Sequence, residues 1–195
     1  MPPRLKLTRD ALLHAAFRIA RMQGIDAVTA RSVAREAGCS IQPVFSQFAT
    51  MEALRQATFD YACERLMADI LSFQDVPDYL SRISLWVVRL ARNEPHLFHL
   101  LYLSDSYADK DLFTYMMTYR SNRVTLEKVA QAHGLEPEAC AQIFLRAFLL
   151  VFGIAAMIAT NHMSFSDEQV ASMMKQTVED MARGTRERKG KDGSA

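Results

Sequence analysis

The 195-residue chain is half hydrophobic and 23% charged, which places it among globular proteins able to bury a substantial core, as one large or two small domains. Its three cysteines, Cys39, Cys63 and Cys140, lie far apart with no CxxC pair and no histidine at ligand spacing, which argues against a disulfide framework or a structural zinc site. The net charge of +1 is unevenly spread: residues 1–55 hold eight Lys/Arg against four Asp/Glu, leaving 15 against 18 for the rest, so a basic N-terminal module precedes an acidic body, as suits a protein that meets a polyanion with one end.

The opening, Met1 to Lys6, has no apolar stretch behind its charges, so no secretory signal is expected and the protein is expected to stay in the cytoplasm. Apolar residues then recur at three and four, with no β-branched alternation, and the expected class is all-α. A first helix is expected over residues 8–23, capped by Thr8, with Leu13, Phe17 and Ala20 on one face and Gly24 as its end. A second begins at Thr29, whose hydroxyl can accept from free backbone N–H groups. Val28 and Val33 stand at the positions of a hydrophobic staple, and the helix stops at Gly38, which can turn left-handed.

Ser40 is expected to cap a third helix of about two turns, with Pro43 in the first turn, where its missing N–H has no intrahelical partner. Thr50 caps a long fourth helix to about residue 72; a fifth runs from Pro77 to near Asn93, before Pro95, and a sixth covers 96–103. Beyond a loop at 104–109, helices are expected over 110–133, 137–161 and 166–183, about nine in total, and the Gly/Lys/Arg-rich residues 184–195 read as a disordered basic tail. The longest low-charge stretch, 147–160, is shorter than the roughly 20 residues a membrane span needs and reads as a buried helix, so no membrane partner is expected. With no internal repeat and no long linker, the boundary between an N-terminal domain (1–55) and a helical body (56–183) is placed inside the fourth helix, which makes the joint rigid.

Residues 29–37, the turn Gly38-Cys39-Ser40 and residues 41–48 give helix, tight turn, helix at the spacing of a DNA-binding helix-turn-helix. Val33, Ala34, Ala37, Val44 and Phe48 can pack together and against Leu13 and Phe17, which leaves Gln42 and Ser46, four apart, on one outward face. A third helix this short buries too little to be stable alone and survives only when braced, as a recognition helix is. Gln42 can pair with an adenine edge, Ser46 can bond a base or a phosphate, and Ile41 can meet a thymine methyl. The helix starts at Thr29, Ser40 and Thr50 offer free N–H groups to phosphates, and Arg31 or an Arg4/Lys6 arm adds charge. The competing reading is that these polar groups only solvate a small three-helix unit. Cys39, in the turn, is either a small packing residue or a redox switch.

Ala15-Ala16-Phe17, Gly24, Thr29, Val33-Ala34, Ala37-Gly38, Ser40, Phe45, Phe48, Glu52 and Leu54 stand at separations that resemble the DNA-binding domain of the TetR family, over about 47 residues from Thr8 to Leu54. The resemblance implies a dimeric transcriptional regulator, a repressor released from a palindromic operator by a small-molecule ligand. It also implies that Thr29, Ser40, Ile41, Gln42, Phe45, Ser46 and Gln47 touch double-stranded DNA, with Arg31 and Thr50 completing the candidate set. Phe45 stands where a Tyr is common in the family and Met51 where a Lys is common. Each departure removes a backbone contact and shifts the grip toward Arg31 and Thr50. The string Ile41-Gln42-Pro43-Val44-Phe45 followed by Met51-Glu52 resembles a variant within the family.

Beyond residue 55 no acidic or nucleophilic motif points to chemistry. Trp86, Leu90, Phe98, Leu101, Phe113, Tyr115, Met116, Met117 and Tyr119 mix apolar walls with hydroxyl handles, and make either a pocket for a small apolar or aromatic ligand or plain core. Phe144, Phe148 and Phe152 repeat every four residues beside Gly153, Ala156 and Ala159, while Val170, Met174, Thr177 and Met181 follow a 4-3-4 spacing. These stripes form either a four-helix bundle across a twofold axis or a core within one chain. The resemblance favours the homodimer, which presents two recognition helices to a palindromic site. A second functional reading is a ligand- or partner-sensing helical protein with weak or lost operator binding. An enzyme would have to use His96 and His99 near Glu94, which lack a third ligand at a telling spacing. The expectation is a non-enzyme without a cofactor.

Overall fold

The computed structural model of the chain describes residues 8–73, 79–104 and 120–192. Every regular element among them is helical: α1 (Arg9–Gln23), a single 3₁₀ turn (Ile25–Ala27), α2 (Ala30–Glu36), α3 (Gln42–Gln47), α4 (Met51–Leu71), α5 (Tyr79–Asn93), α6 (Pro95–Tyr102), α7 (Arg120–His133), α8 (Pro137–Asn161) and α9 (Asp167–Asp192). The all-α class and the nine α-helices of the described residues agree with the periodicity. Two compact units divide the chain, one from residues 1–67 with 93–105 and one from 68–92 with 106–195.

In the first unit the helix ends follow the side chains that the sequence puts there. Thr8 Oγ1 accepts from the Ala11 N–H at 3.2 Å, and Gly24, at φ +90°, closes α1 with its N–H on the Ala20 carbonyl. Thr29 and Ser32 form a reciprocal capping box at the start of α2, and Ser32 Oγ also donates to the Ala27 carbonyl at 2.7 Å. The end of α2 is a Schellman motif: Gly38 turns left-handed at φ +67°, its N–H meets the Arg35 carbonyl at 3.2 Å, and the Cys39 N–H meets the Ala34 carbonyl at 2.9 Å. Thr50 Oγ1 accepts from the Ala53 N–H at 3.0 Å and caps α4.

Ser40 makes no such cap. The residue before α3 is Ile41, without a side-chain hydrogen bond to the helix. Pro43 has no N–H, and the Val44 N–H already reaches the Ile41 carbonyl at 3.0 Å, so few free donors remain for a serine to satisfy.

The core of this unit joins Leu12, Ala16 and Ile19 of α1, Val28 and Val33 of the staple, Val44, Phe48, Leu54, and Phe98 and Leu101 of α6, all under 5% exposed. Leu13 and Ala20 are buried, while Phe17 is half-buried and meets Tyr61 edge-on at 5.0 Å. Arg21 pairs with Glu94 in two hydrogen bonds, which raises the arginine's pKa further and fixes the start of α6 to α1.

In the second unit α8 contributes Cys140, Ile143, Phe144, Ala147, Val151, Ile154, Ala155 and Ile158 to the interior, and α9 contributes Val170, Met174, Val178 and Ala182. The last four repeat every four residues, so one stripe of α9 lies against α8. Arg89 and Arg92 of α5 both bond Asp167 at the start of α9, and Arg92 also reaches the Phe165 carbonyl at 2.8 Å. Ser166 and Gln169 cap α9 reciprocally, at 3.2 and 2.8 Å.

Helix α9 then continues to Asp192, through residues that composition assigned to a disordered tail. Extending a formed helix costs little, and the Thr185 hydroxyl on the Met181 carbonyl and Arg186 on the His133 carbonyl tie the first added turn back to the rest. The expected starts of the fifth helix at Pro77 and the seventh at residue 110, the Arg4/Lys6 arm and residues 193–195 lie outside the described residues.

Candidate nucleic-acid interface

The Schellman turn after α2 and the proline-led start of α3 place a six-residue helix beside α2, anchored by Val44 at 1% exposure and Phe48 at 4%. Those two anchors fix the rotation of α3. Ile41, Gln42, Phe45, Ser46 and Gln47 all consequently face solvent, as do Thr29, Arg31, Ser40 and Thr50. All nine expected contact residues are therefore accessible, and they lie at the start of α2, in the α2–α3 turn, on α3 and at the start of α4.

Their side chains are not equally free. Thr29 is committed to the capping box, and the Ser46 hydroxyl donates to the Pro43 carbonyl at 2.9 Å, which leaves it an acceptor. Gln42, four residues before Ser46, has no hydrogen-bond partner for its amide among the described residues and keeps it for an external one. Beside them Ile41 and Phe45 are 40% and 52% exposed, an apolar pair one turn apart on a short helix. An apolar pair exposed on so small a surface suits contact with thymine methyls or sugar carbons.

The arginines of residues 1–55 sort by partner. Arg18 pairs with Glu36 at 2.7 Å, Arg21 with Glu94, Arg9 stacks 4.7 Å above the Phe48 ring, and Arg55 reaches the Val28 carbonyl at 3.3 Å. Arg31 and Arg35 are exposed with no such partner among the described residues. They stand four apart on one face of α2, so their charge is available to an external anion. Arg35 is not distinguishable from Arg18 in the sequence, because whether an arginine is neutralised depends on neighbours distant in sequence.

The expected pocket residues are divided between the two units and the residues outside the description. Trp86 is half-buried and Leu90 is 7% exposed in the second unit, whereas Phe98 and Leu101, at 0% and 1%, are core of the first unit. Phe113, Tyr115, Met116, Met117 and Tyr119 lie outside the described residues. A groove in the second unit is lined instead from α5, α7 and α9, and it includes none of these residues.

The expected dimer stripes are also redrawn. Phe144, Val170 and Met174 point into their own chain at 8%, 0% and 3% exposure. The stripe on α9 runs 170, 174, 178, 182, so Thr177 and Met181 flank it and are half-buried. On α8, Phe148 and Phe152 stack at 4.1 Å and are half-buried, as is Ala156. The face of α8 left open carries Leu149, Gly153 and Met157. The most apolar stretch of α8 has a mean hydropathy of 2.3, and 39% of it is buried. By length and composition it is the one helix among the described residues able to cross a membrane.

Glu94, which an enzyme reading would need beside His96 and His99, is taken by Arg21. Among the described residues no group of three or more His, Cys, Asp or Glu side chains is placed to hold a metal ion.

Residues 12–58 match the family model for bacterial regulatory proteins of the tetR family. No curated protein matches the chain. Among solved structures the chain is similar in fold to the multidrug binding protein EbrR, crystallised with imidazole. The two share 18% sequence identity at a TM-score of 0.51, over 91% of this chain and 96% of that one.

Proposed function

We propose that this chain, whose residues 12–58 form a DNA-binding domain of the tetR-family type, is a homodimeric transcriptional repressor. In this reading each subunit sets α3 against half of a palindromic operator, and a small ligand in the helical body releases it. The observation that carries the DNA-binding part is the outward face of α3. Gln42, Ile41 and Phe45 are exposed there while Val44 and Phe48 are spent on anchoring, and the unpaired Arg31 and Arg35 stand on the preceding helix. Base-reading groups and phosphate-binding charge are thus available on one motif.

Two further observations support the rest of the reading. A helix as apolar as α8 needs cover on more than one side, and Leu149 at 51% and Met157 at 43% exposure leave one side uncovered in the single chain. A second copy of the same helix fits that face through Gly153, where close approach meets no side chain. The similar fold of EbrR, a multidrug binding protein, supports a ligand-responsive body.

The test is retention of promoter DNA upstream of the protein's own gene, measured by fluorescence anisotropy across a salt series. Log affinity is expected to fall steeply with log salt, by about 0.9 for each phosphate neutralised. A flat response, or no retention at low salt, defeats the reading and favours a sensor that has lost its operator, which the departures at Phe45 and Met51 would fit.

A further inference from the structure

Helices α5, α7 and α9 of the second unit enclose a groove of about 730 Å³, within the size range of sites for small organic molecules. Its apolar wall is built from Leu80, Met174 and Val178, and its charged lining is Lys128, Lys175 and Glu179, with His133 beside them. Lys175 and Glu179 lie 4.0 Å apart, one turn from each other on α9, and both are largely exposed. Lys128 is half-buried and has no carboxylate partner among the described residues, which leaves one positive charge in excess among the described lining groups. An ammonium without a paired carboxylate beside an apolar wall is a ready partner for the head of a bound anion.

The groove also has a buried polar group. Tyr79, 5% exposed, lines it, and the Tyr79 oxygen accepts from the Thr125 hydroxyl at 3.3 Å, which leaves the phenol proton to donate elsewhere. Burial pushes the phenol pKa up, so Tyr79 stays a donor at any physiological pH. An apolar wall, an unpaired ammonium and a buried hydroxyl donor together describe one class of ligand. A neutral apolar molecule would leave Lys128 unpaired, and a small inorganic anion would leave the wall against water.

We infer that this groove binds an amphipathic carboxylate, with its apolar chain along Leu80, Met174 and Val178 and its carboxylate shared by Lys128 and the Tyr79 hydroxyl. The inference rests on the sensor reading above, names its ligand class, and adds a charged head to the small apolar or aromatic ligand that the sequence suggests. Its test uses no DNA, so its failure is distinguishable from a failure of operator binding.

The experiment is calorimetric titration of the full chain with decanoate below its micellar concentration, beside decanol, which keeps the tail, and butyrate, which keeps the head. One decanoate per chain is expected, with decanol and butyrate each about tenfold weaker or more. Lys128→Met is expected to weaken decanoate about tenfold and Tyr79→Phe about threefold, as loss of a charge-assisted bond and a neutral one implies. Ala171→Phe, which fills the groove from α9, is expected to abolish binding while the helical circular dichroism is retained. Failure of the wild-type chain to bind decanoate overturns the inference. So does decanol binding as tightly as decanoate, or affinity unchanged by both Lys128→Met and Ala171→Phe.

Discussion

Removing Arg31 or Arg35 is expected to flatten the salt dependence of promoter binding, whereas removing the Arg18–Glu36 pair is not. All three arginines lie in the basic module and are exposed, so composition treats them alike. The structure separates them: Arg18 is already neutralised by Glu36 at 2.7 Å, while Arg31 and Arg35 meet no carboxylate among the described residues. Only an unpaired cation displaces counterions from DNA when it binds. If Arg31 contacts one phosphate per subunit, Arg31→Ala lowers the slope of log affinity against log salt by about 0.9 per subunit, or about 1.8 for a dimer on its operator. Between 50 and 200 mM salt each lost contact then makes the fall in affinity about 3.5-fold smaller. The loss is expected at every DNA sequence alike, because a phosphate carries no base identity. Arg18→Ala/Glu36→Ala removes one charge of each sign and serves as the control. Fluorescence anisotropy at four salt concentrations reads the slopes. Equal slopes for wild type, Arg31→Ala and Arg35→Ala, or a drop in the control as large as in Arg31→Ala, would refute the assignment of the phosphate grip.

Four other outcomes are expected. Gln42→Ala should cost about 1–3 kcal/mol at the true operator and relax the preference at one base pair, read by binding to a panel of single-base operator variants; wild-type affinity would show that the recognition face is misassigned. Leu149→Glu/Met157→Glu, which puts charges on the open face of α8, should convert a dimer to a monomer in sedimentation velocity while circular dichroism keeps its helical signal, and an unchanged dimer would place the interface elsewhere. Phe98→Ala should destabilise the first unit by about 3–5 kcal/mol in urea denaturation, since the ring is wholly buried, whereas a ring that merely lines a ligand pocket would cost much less. The guanidinium groups of Arg89 and then Arg92 hold the Asp167 carboxyl below its ordinary range. That pairing therefore stabilises the fold above the ordinary aspartate range and is lost as pH falls through the lowered pKa. Asp167→Asn should then lower stability at neutral pH, by no more than about 1 kcal/mol for so exposed a network, and the difference from wild type should close in acid. A gap that persists in acid would contradict it.

The sequence by itself determined the elements that local chemistry governs. Thr8, Thr29 and Thr50 cap helices because a side-chain oxygen two or three residues from a free N–H needs no distant neighbour, and Gly24 and Gly38 end helices because each takes a positive φ. The spacing of Val28, Val33, Val44 and Phe48 likewise suffices to turn Gln42 and Ser46 outward. Ser40 leaves α3 uncapped because a neighbouring rule intervenes: Pro43 removes a donor for it to satisfy. Only the tertiary structure decided which arginines remain free, because Glu36 and Glu94 lie 18 and 73 residues from the cations they neutralise. It also decided that Phe98 and Leu101 are core of the first unit, that α9 buries 170, 174, 178 and 182, and that Lys128, Tyr79 and Val178 share one groove. A helical repeat fixes which residues share a face, but which face is covered depends on the helices packed against it, and those come from remote parts of the chain.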